Sequence, residues 1–274
     1  MRIVQVILNG LFDTVLAPLR TLSPWPGLLA VALLTSVVVL LIFRVASNPA
    51  TVRRKRDRLL ARVLELVLFK DDLVVNLSAF GRVLVANVQY IGTLLVPLAL
   101  SIVPVMLILV QSYVWFGLRP LQPGETTLLT ARFSADTPLL QQEIALATSA
   151  GLHVDSPPVR AISRHEVSWR IRADADGSAW AAVTNGGHEH RKSIGVGRTL
   201  AAVSTERNSG GFWSALAWSR EPPLPADSSL QQLAVTYPVR ELRVFGWNVN
   251  WLLAFFVLTM VFGFALKKPL GVEL

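Results

Sequence analysis

The chain has 274 residues, 52% of them apolar and only 16% charged, against about 45–50% and about 25% in an ordinary soluble domain. The apolar surplus is concentrated, since residues 21–43, 83–118 and 244–266 contain no Asp, Glu, Lys or Arg, and a bilayer span needs only about 20 such residues. A single soluble core is therefore excluded, and the absence of cysteine excludes disulfides, thiolate metal sites, iron–sulfur clusters and cysteine nucleophiles.

Taken in chain order, residues 1–26 read as an amphipathic interfacial helix followed by a turn. The helix covers residues 3–19 and ends at Pro18, and Trp25 in the Ser23-Pro24-Trp25-Pro26-Gly27 turn suits the headgroup level. A cleaved signal peptide is not expected, because Arg2 stands alone, Asp13 interrupts the apolar run and no small-residue cleavage site follows. Residues 27–46 form the first expected transmembrane helix, closed by Arg44. Arg44 has two readings, snorkelling to the headgroups or facing a hydrated groove, since a charge at bilayer depth costs at least about 2.5–3.5 kcal/mol otherwise.

Residues 47–88 read as a cytoplasmic helical hairpin. Val52, Leu59, Val63, Leu66 and Phe69 recur at helical spacing opposite the basic run Arg53, Arg54, Lys55, Arg56 and Arg58. Lys70-Asp71-Asp72 breaks this pattern; Asp71 and Asp72 mark the turn, with Asp72 as N-cap, and Leu73, Leu77, Phe80, Leu84 and Val88 resume it. The second arm runs directly into the second expected span, residues 89–117. The charge-free stretch there is 36 residues long, about 54 Å of helix, so part of it lies outside a core about 30 Å thick. Gln111, Tyr113 and Trp115 mark its outer end, and Pro97 and Pro104 are expected kinks that free backbone carbonyls.

Residues 118–245 read as a mainly-β, sandwich-like extracytoplasmic domain. Strand alternation is clearest in residues 127–133 and 167–172, with further strands at 179–183, 199–204, 212–218 and 233–237 and a helix at 137–151. Residues 246–266 are the third expected span, with Asn248 and Asn250 as interfacial anchors, and residues 267–274 are a tail beginning Lys267-Lys268. Residues 44–86 hold nine Lys/Arg against four Asp/Glu, whereas residues 118–245 hold thirteen against twelve. The positive-inside rule then places the first loop in the cytoplasm, the N-terminus outside and the C-terminus inside. The expected location is a bacterial inner membrane, the expected partner its lipid bilayer, and the basic run serves orientation and headgroups rather than specific nucleic-acid recognition.

The chemistry-bearing motifs are few. His188 and His190 flank Glu189 at what reads as a hairpin tip, without the further ligands a metal needs. No phosphate loop, nucleophile elbow or dinucleotide fingerprint occurs, so neither metal, cofactor nor enzymatic activity is expected.

The order of elements resembles that of the YidC/Oxa-type membrane protein insertase superfamily, in its minimal three-span members of the archaeal YidC-like or endoplasmic-reticulum insertase-subunit type. Phe43-Arg44-Val45-Ala46-Ser47-Asn48-Pro49 resembles the bacterial insertase pattern in which a groove arginine precedes a proline by five residues. Val96-Pro97-Leu98 through Val103-Pro104-Val105 is similar to the family's proline-containing span. The resemblance covers about half of the chain and omits the outer domain. It implies a cytoplasm-open groove with Arg44 and Gln111 as candidates, easing polar client segments across the bilayer, and a hairpin receiving nascent membrane proteins or a ribosome. A structural scaffold subunit, or a sensor whose outer domain binds a ligand or protein partner, is the alternative.

Overall fold

A computed structural model describes residues 2–47, 49–68, 73–210, 221–244 and 246–272. It divides into two compact units, one of Met1–Leu28 with Leu109–Leu253 and the other of Leu29–Ile108 with Ala254–Leu274. Two helices are long and apolar enough to cross a membrane, and a separate β-sheet region accompanies them. The expected turn at Asp71 and Asp72 and the strand at 212–218 lie outside the described residues.

The helical unit is built from α2 (Pro24–Ala46), α3 (Pro49–Leu68), α4 (Leu73–Ser112) and α5 (Trp251–Leu266), following α1 (Arg2–Leu16) in the chain. α2 starts with Pro24, three residues before the expected boundary, because the first helical position needs no N–H donor. α4 is one unbroken helix of 40 residues, so the second hairpin arm and the second span are a single rod of about 60 Å. Its packed stripe is narrow: Ala86, Pro97, Ser101 and Ile108 are buried while Val88, Ile91, Leu95, Val96, Leu98 and Val103 are exposed. Both prolines lie on or beside that stripe, and Ser101 Oγ donates to the Pro97 carbonyl at 2.8 Å. One apolar cluster joins three of these helices, with Leu40 and Phe43 of α2, Leu94 of α4, Leu266 of α5, and Leu270 and Val272 just after it.

The last apolar helix begins later than the expected third span. β10 (Leu242–Val244) and β11 (Trp247–Val249) pair as a hairpin, with Gly246 at a φ of +87° that a side chain would resist. Residues 246–250 are therefore not helical, and the two asparagines expected as interfacial anchors make hydrogen bonds within the protein. Asn250 Oδ1 accepts from Leu252 N at 2.8 Å, an N-cap of α5, and Asn248 donates to Glu241 at 3.1 Å.

The β region contains β1 (Thr126–Phe133), β2 (Ile144–Thr148), β3 (Leu152–Val154), β4 (Val159–Ala161), β5 (Glu166–Ala173), β6 (Gly177–Asn185), β7 (His188–Val196), β8 (Glu206–Asn208) and β9 (Leu230–Val235). The larger sheet has the order β3-β5-β1-β9-β8, with β4 also on β5, and β2-β6-β7 forms a three-stranded sheet. All strand pairings are antiparallel, with Leu129 of β1 opposite Trp169 on one side and Val235 on the other. Leu129, Phe133, Trp169 and Leu233 from the larger sheet share one core with Ala181, Val183 and Ile194 from the smaller.

Two expected elements differ. The helix at 137–151 is instead a turn followed by β2, because pairing with β6 overrides local helix preference. The carbonyls of Leu139 and Gln142 are satisfied by the Arg160 guanidinium rather than by helical amides. The strand at 199–204 is an extended segment outside any sheet. Leu200 and Val203 are buried, and their amides bond the Arg20 and Val114 carbonyls beside α1 and α4. The turn at Asn185-Gly186-Gly187 is as expected, with positive φ at both glycines, but His188 to His190 are the opening residues of β7 rather than a tip.

Candidate functional site

The helical hairpin holds the greatest concentration of the expected contact residues. Lys55 Nζ on α3 donates to the Gln89 carbonyl on α4 at 3.2 Å. Glu65 on α3 is gripped by Arg62 at 2.7 Å and by Arg82 on α4 at 2.6 Å. These pairs align the two arms side by side. The hydrogen bond from Arg62, with Arg82 adding its charge, holds the Glu65 carboxyl below its usual range despite some desolvation.

A cleft of about 540 Å³ opens between the arms, walled by Arg58, Arg62 and Arg82 with the small residues Ser78, Gly81 and Ala86. A Cβ added at Gly81 would meet nothing within 4 Å, so the cleft is open there. Of the expected basic residues, Lys55 and Arg58 face this junction. Arg54 bonds Ala50 and Thr51 on its own helix, Arg56 pairs with Asp57 at 3.3 Å, and Arg53 has a partner of its own. Arg62 belongs to the basic run read after the first span, whereas Glu65 and Arg82 were not singled out in the sequence. The i, i+4 spacing of Arg58 and Arg62 with Glu65 three residues on was the available signal.

A second cleft, about 190 Å³ and almost wholly apolar, lies between α2 and α5. Val39, Leu40 and Phe43 face Met260, Gly263 and Phe264, and a Cβ at Gly263 would meet nothing within 4 Å. Ser36 Oγ crosses it to the Thr259 carbonyl at 2.9 Å while also bonding Ala32 at 2.8 Å. Arg44 follows Phe43 but is exposed and makes no ion pair or hydrogen bond among the described residues. It lines neither cleft. Gln111 belongs to the other unit, where it is buried and its Oε1 lacks a partner among the described residues. The two groove candidates thus belong to different units. Pro97 and Pro104 deprive the Thr93 and Leu100 carbonyls of helical donors.

The β region contains polar clusters that the sequence did not reveal. Lys192 of β7 is fully buried, its ammonium bonding the Ser204 carbonyl at 2.7 Å, Ser204 Oγ at 2.8 Å and Glu221 at 3.3 Å. Burial pushes its pKa down to about 8, against the opposing pull of Glu221. A Ser–Lys dyad needs a neutral lysine to act as base. Here the carboxylate favours the ammonium, so the arrangement serves as an internal strut. His190 is buried, and its Nε2 lies 3.1 Å from Ser228 Oγ. Burial, with the charges of Arg207 and His188, lowers its pKa. Ser228 Oγ already accepts from the Leu230 amide at 3.1 Å, and among the described residues no carboxylate bonds the imidazole. A triad is therefore not assembled. Among the described residues, no group of three or more metal-ligating side chains is gathered.

No family model matches the chain, and no curated protein or solved structure matches it either.

Proposed function

We propose that this chain is a membrane protein insertase or insertase-like chaperone of the YidC/Oxa type, acting without catalytic chemistry, metal or cofactor. The observation that carries this reading is the basic hairpin α3–α4, whose second arm continues as one helix into an apolar, outwardly exposed span. A basic hairpin fits a ribosome or the flanking acidic residues of a nascent membrane protein. The apolar α2–α5 cleft in the same unit gives a client helix a surface to slide along before entering lipid. Arg44, exposed beyond Phe43, would lower the desolvation cost of a polar client tail.

Three spans suit the exposed apolar faces of α2, α4 and α5, on which Leu33, Leu98 and Phe256 stand unpacked. α5 is 16 residues long, but helical bonding continues past it. Lys267 N bonds Gly263 O at 3.0 Å and Leu270 N bonds Leu266 O at 3.1 Å, before a Schellman closure at Gly271. Counted from Trp251 to Leu270, the helix reaches about 30 Å, enough for a bilayer core. The proposed setting is a bacterial inner membrane, with the N-terminus and the sandwich-like β domain outside and the C-terminus inside.

The test is insertion of clients with short polar tails in cells depleted of their own insertase. Arg44→Glu lowers insertion while the protein accumulates normally, and unchanged insertion sinks the role of Arg44. Because the chain lacks cysteine, a photocrosslinkable thiol label at Ser36→Cys reports what occupies the α2–α5 cleft. Nascent membrane chains support the insertase; one stable protein supports the scaffold instead.

A further inference from the structure

The chain passes between apolar helix and β region twice, and both junctions, together with the start of α2, border one cleft of about 680 Å³. Ser23, Pro24 and Trp25 contribute the start of α2, Arg119 and Gln122 follow α4, and residues 239–243 lead toward α5, with Arg198 closing the rim. The lining is strongly cationic. Arg119 is neutralised by a two-pronged pair with Glu125 at 2.7 and 2.8 Å, and Glu241 already accepts from Asn248. Arg198 and Arg243 are exposed and have no ion pair among the described residues.

Arg240 is the exceptional member. It is 9% exposed, its Nε donates to the Leu118 carbonyl at 3.2 Å, and its Nη2 is buried with no partner among the described residues. A buried guanidinium is costly unless an anion completes it, and Arg119 close by raises that cost further. The first turn of α2 adds its positive end, although Pro24 and Pro26 supply no N–H of their own. Guanidinium forks match phosphate oxygens in pairs. The volume exceeds that of a bare phosphate and falls in the range of small-ligand sites. Trp25 at the start of α2 and Trp251 at the start of α5 are residue types that settle at a membrane interface.

We propose that this cleft binds the phosphate group of an anionic phospholipid headgroup, held by Arg198, Arg240 and Arg243. The inference rests on the apolar helices crossing a bilayer and not on client transfer.

Native mass spectrometry of the full-length protein in a non-ionic detergent tests it, with phosphatidylglycerol, phosphatidylcholine and inorganic phosphate offered in turn. Wild type retains one phosphatidylglycerol and no phosphatidylcholine, and the Arg198→Ser/Arg243→Ser variant loses at least about tenfold in occupancy. Arg240→Met, which keeps the apolar stem volume, gives the same loss; if it fails to accumulate, the exposed double variant decides alone. Equal retention by wild type and double variant, or equal retention of the two lipids, overturns the site. Inorganic phosphate retained in place of phosphatidylglycerol overturns its assignment to lipid. The double variant leaves Arg44 and the hairpin intact, so loss of lipid and loss of insertion are read separately.

Discussion

At the scale of single residues, Lys192 carries the sharpest expectation. Replacing it with Met leaves Glu221 beside an apolar side chain, and breaking a buried pair in this way costs about 3–5 kcal/mol. Lys192→Met/Glu221→Gln recovers much of that loss in thermal unfolding of the full chain, since the orphaned charge is removed too. The pH dependence has a definite sign. Burial takes the lysine from 10.5 to about 8, so between those values the unfolded chain holds a proton that the folded chain has released. Stability contributed by this group therefore rises with pH across that window, and Lys192→Met flattens the rise. A strictly flat wild-type difference would mean that the ammonium is hydrated. Gly117 is equally specific: a Cβ there would lie 2.6 Å from the Tyr113 ring and 3.0 Å from Trp251 Nε1. Gly117→Ala forces these aromatic neighbours apart and costs about 1–3 kcal/mol in the same unfolding measurement.

At the scale of elements, the hairpin separates what charge does from what packing does. Glu65 and Arg82 are each partly exposed, so a double-mutant cycle between Glu65→Gln and Arg82→Ala yields only a weak, salt-sensitive coupling. Alignment of the arms then rests on buried small and apolar positions such as Val52 and Ala79. Lys55→Cys with Gln89→Cys should be bridged by a short bifunctional thiol crosslinker, since the full length of the lysine side chain separates the two backbones, read as resistance to separation after proteolytic cleavage between the arms. Failure to crosslink while the protein remains folded would contradict the paired arms. These helices were legible in the sequence because a charge-free run and a 3.6-residue period are local signals. The helix expected at 137–151 was not, since Ile144 and Leu146 pair with β6 across a distance that no local window covers. Residues 199–204 misled for the same reason: the short apolar run 200–203 reads locally as a strand, yet the amides of Leu200 and Val203 bond the Arg20 and Val114 carbonyls.

At the scale of the whole molecule, the two long apolar helices followed from where charge is absent and the β region from strand alternation, whereas the polar clusters did not. Lys192, Ser204 and Glu221 are separated in sequence and meet only through tertiary folding. Arg44 stood out because it interrupts apolar surroundings, and yet Arg240, within an unremarkable loop, is the more deeply buried cation. The proposed orientation is directly measurable in this cysteine-free chain. A thiol at Ser178 should react with an impermeant reagent in intact spheroplasts, and one at Lys268 only after lysis; the reverse pattern would invert the topology.

The discontinuity of the β-bearing unit sets a timetable for making the protein. A Cβ at Gly27 would touch Leu16, Phe116 and Leu200, so these side chains meet around the start of α2. Leu16 is fully buried, yet one of its neighbours leaves the ribosome more than a hundred residues later. At about 5–20 residues per second, the apolar face of α1 waits on the order of ten to forty seconds for Leu200 to be synthesised. A nascent chain halted before that residue should carry α1 open to proteases, and release of the halt should close it.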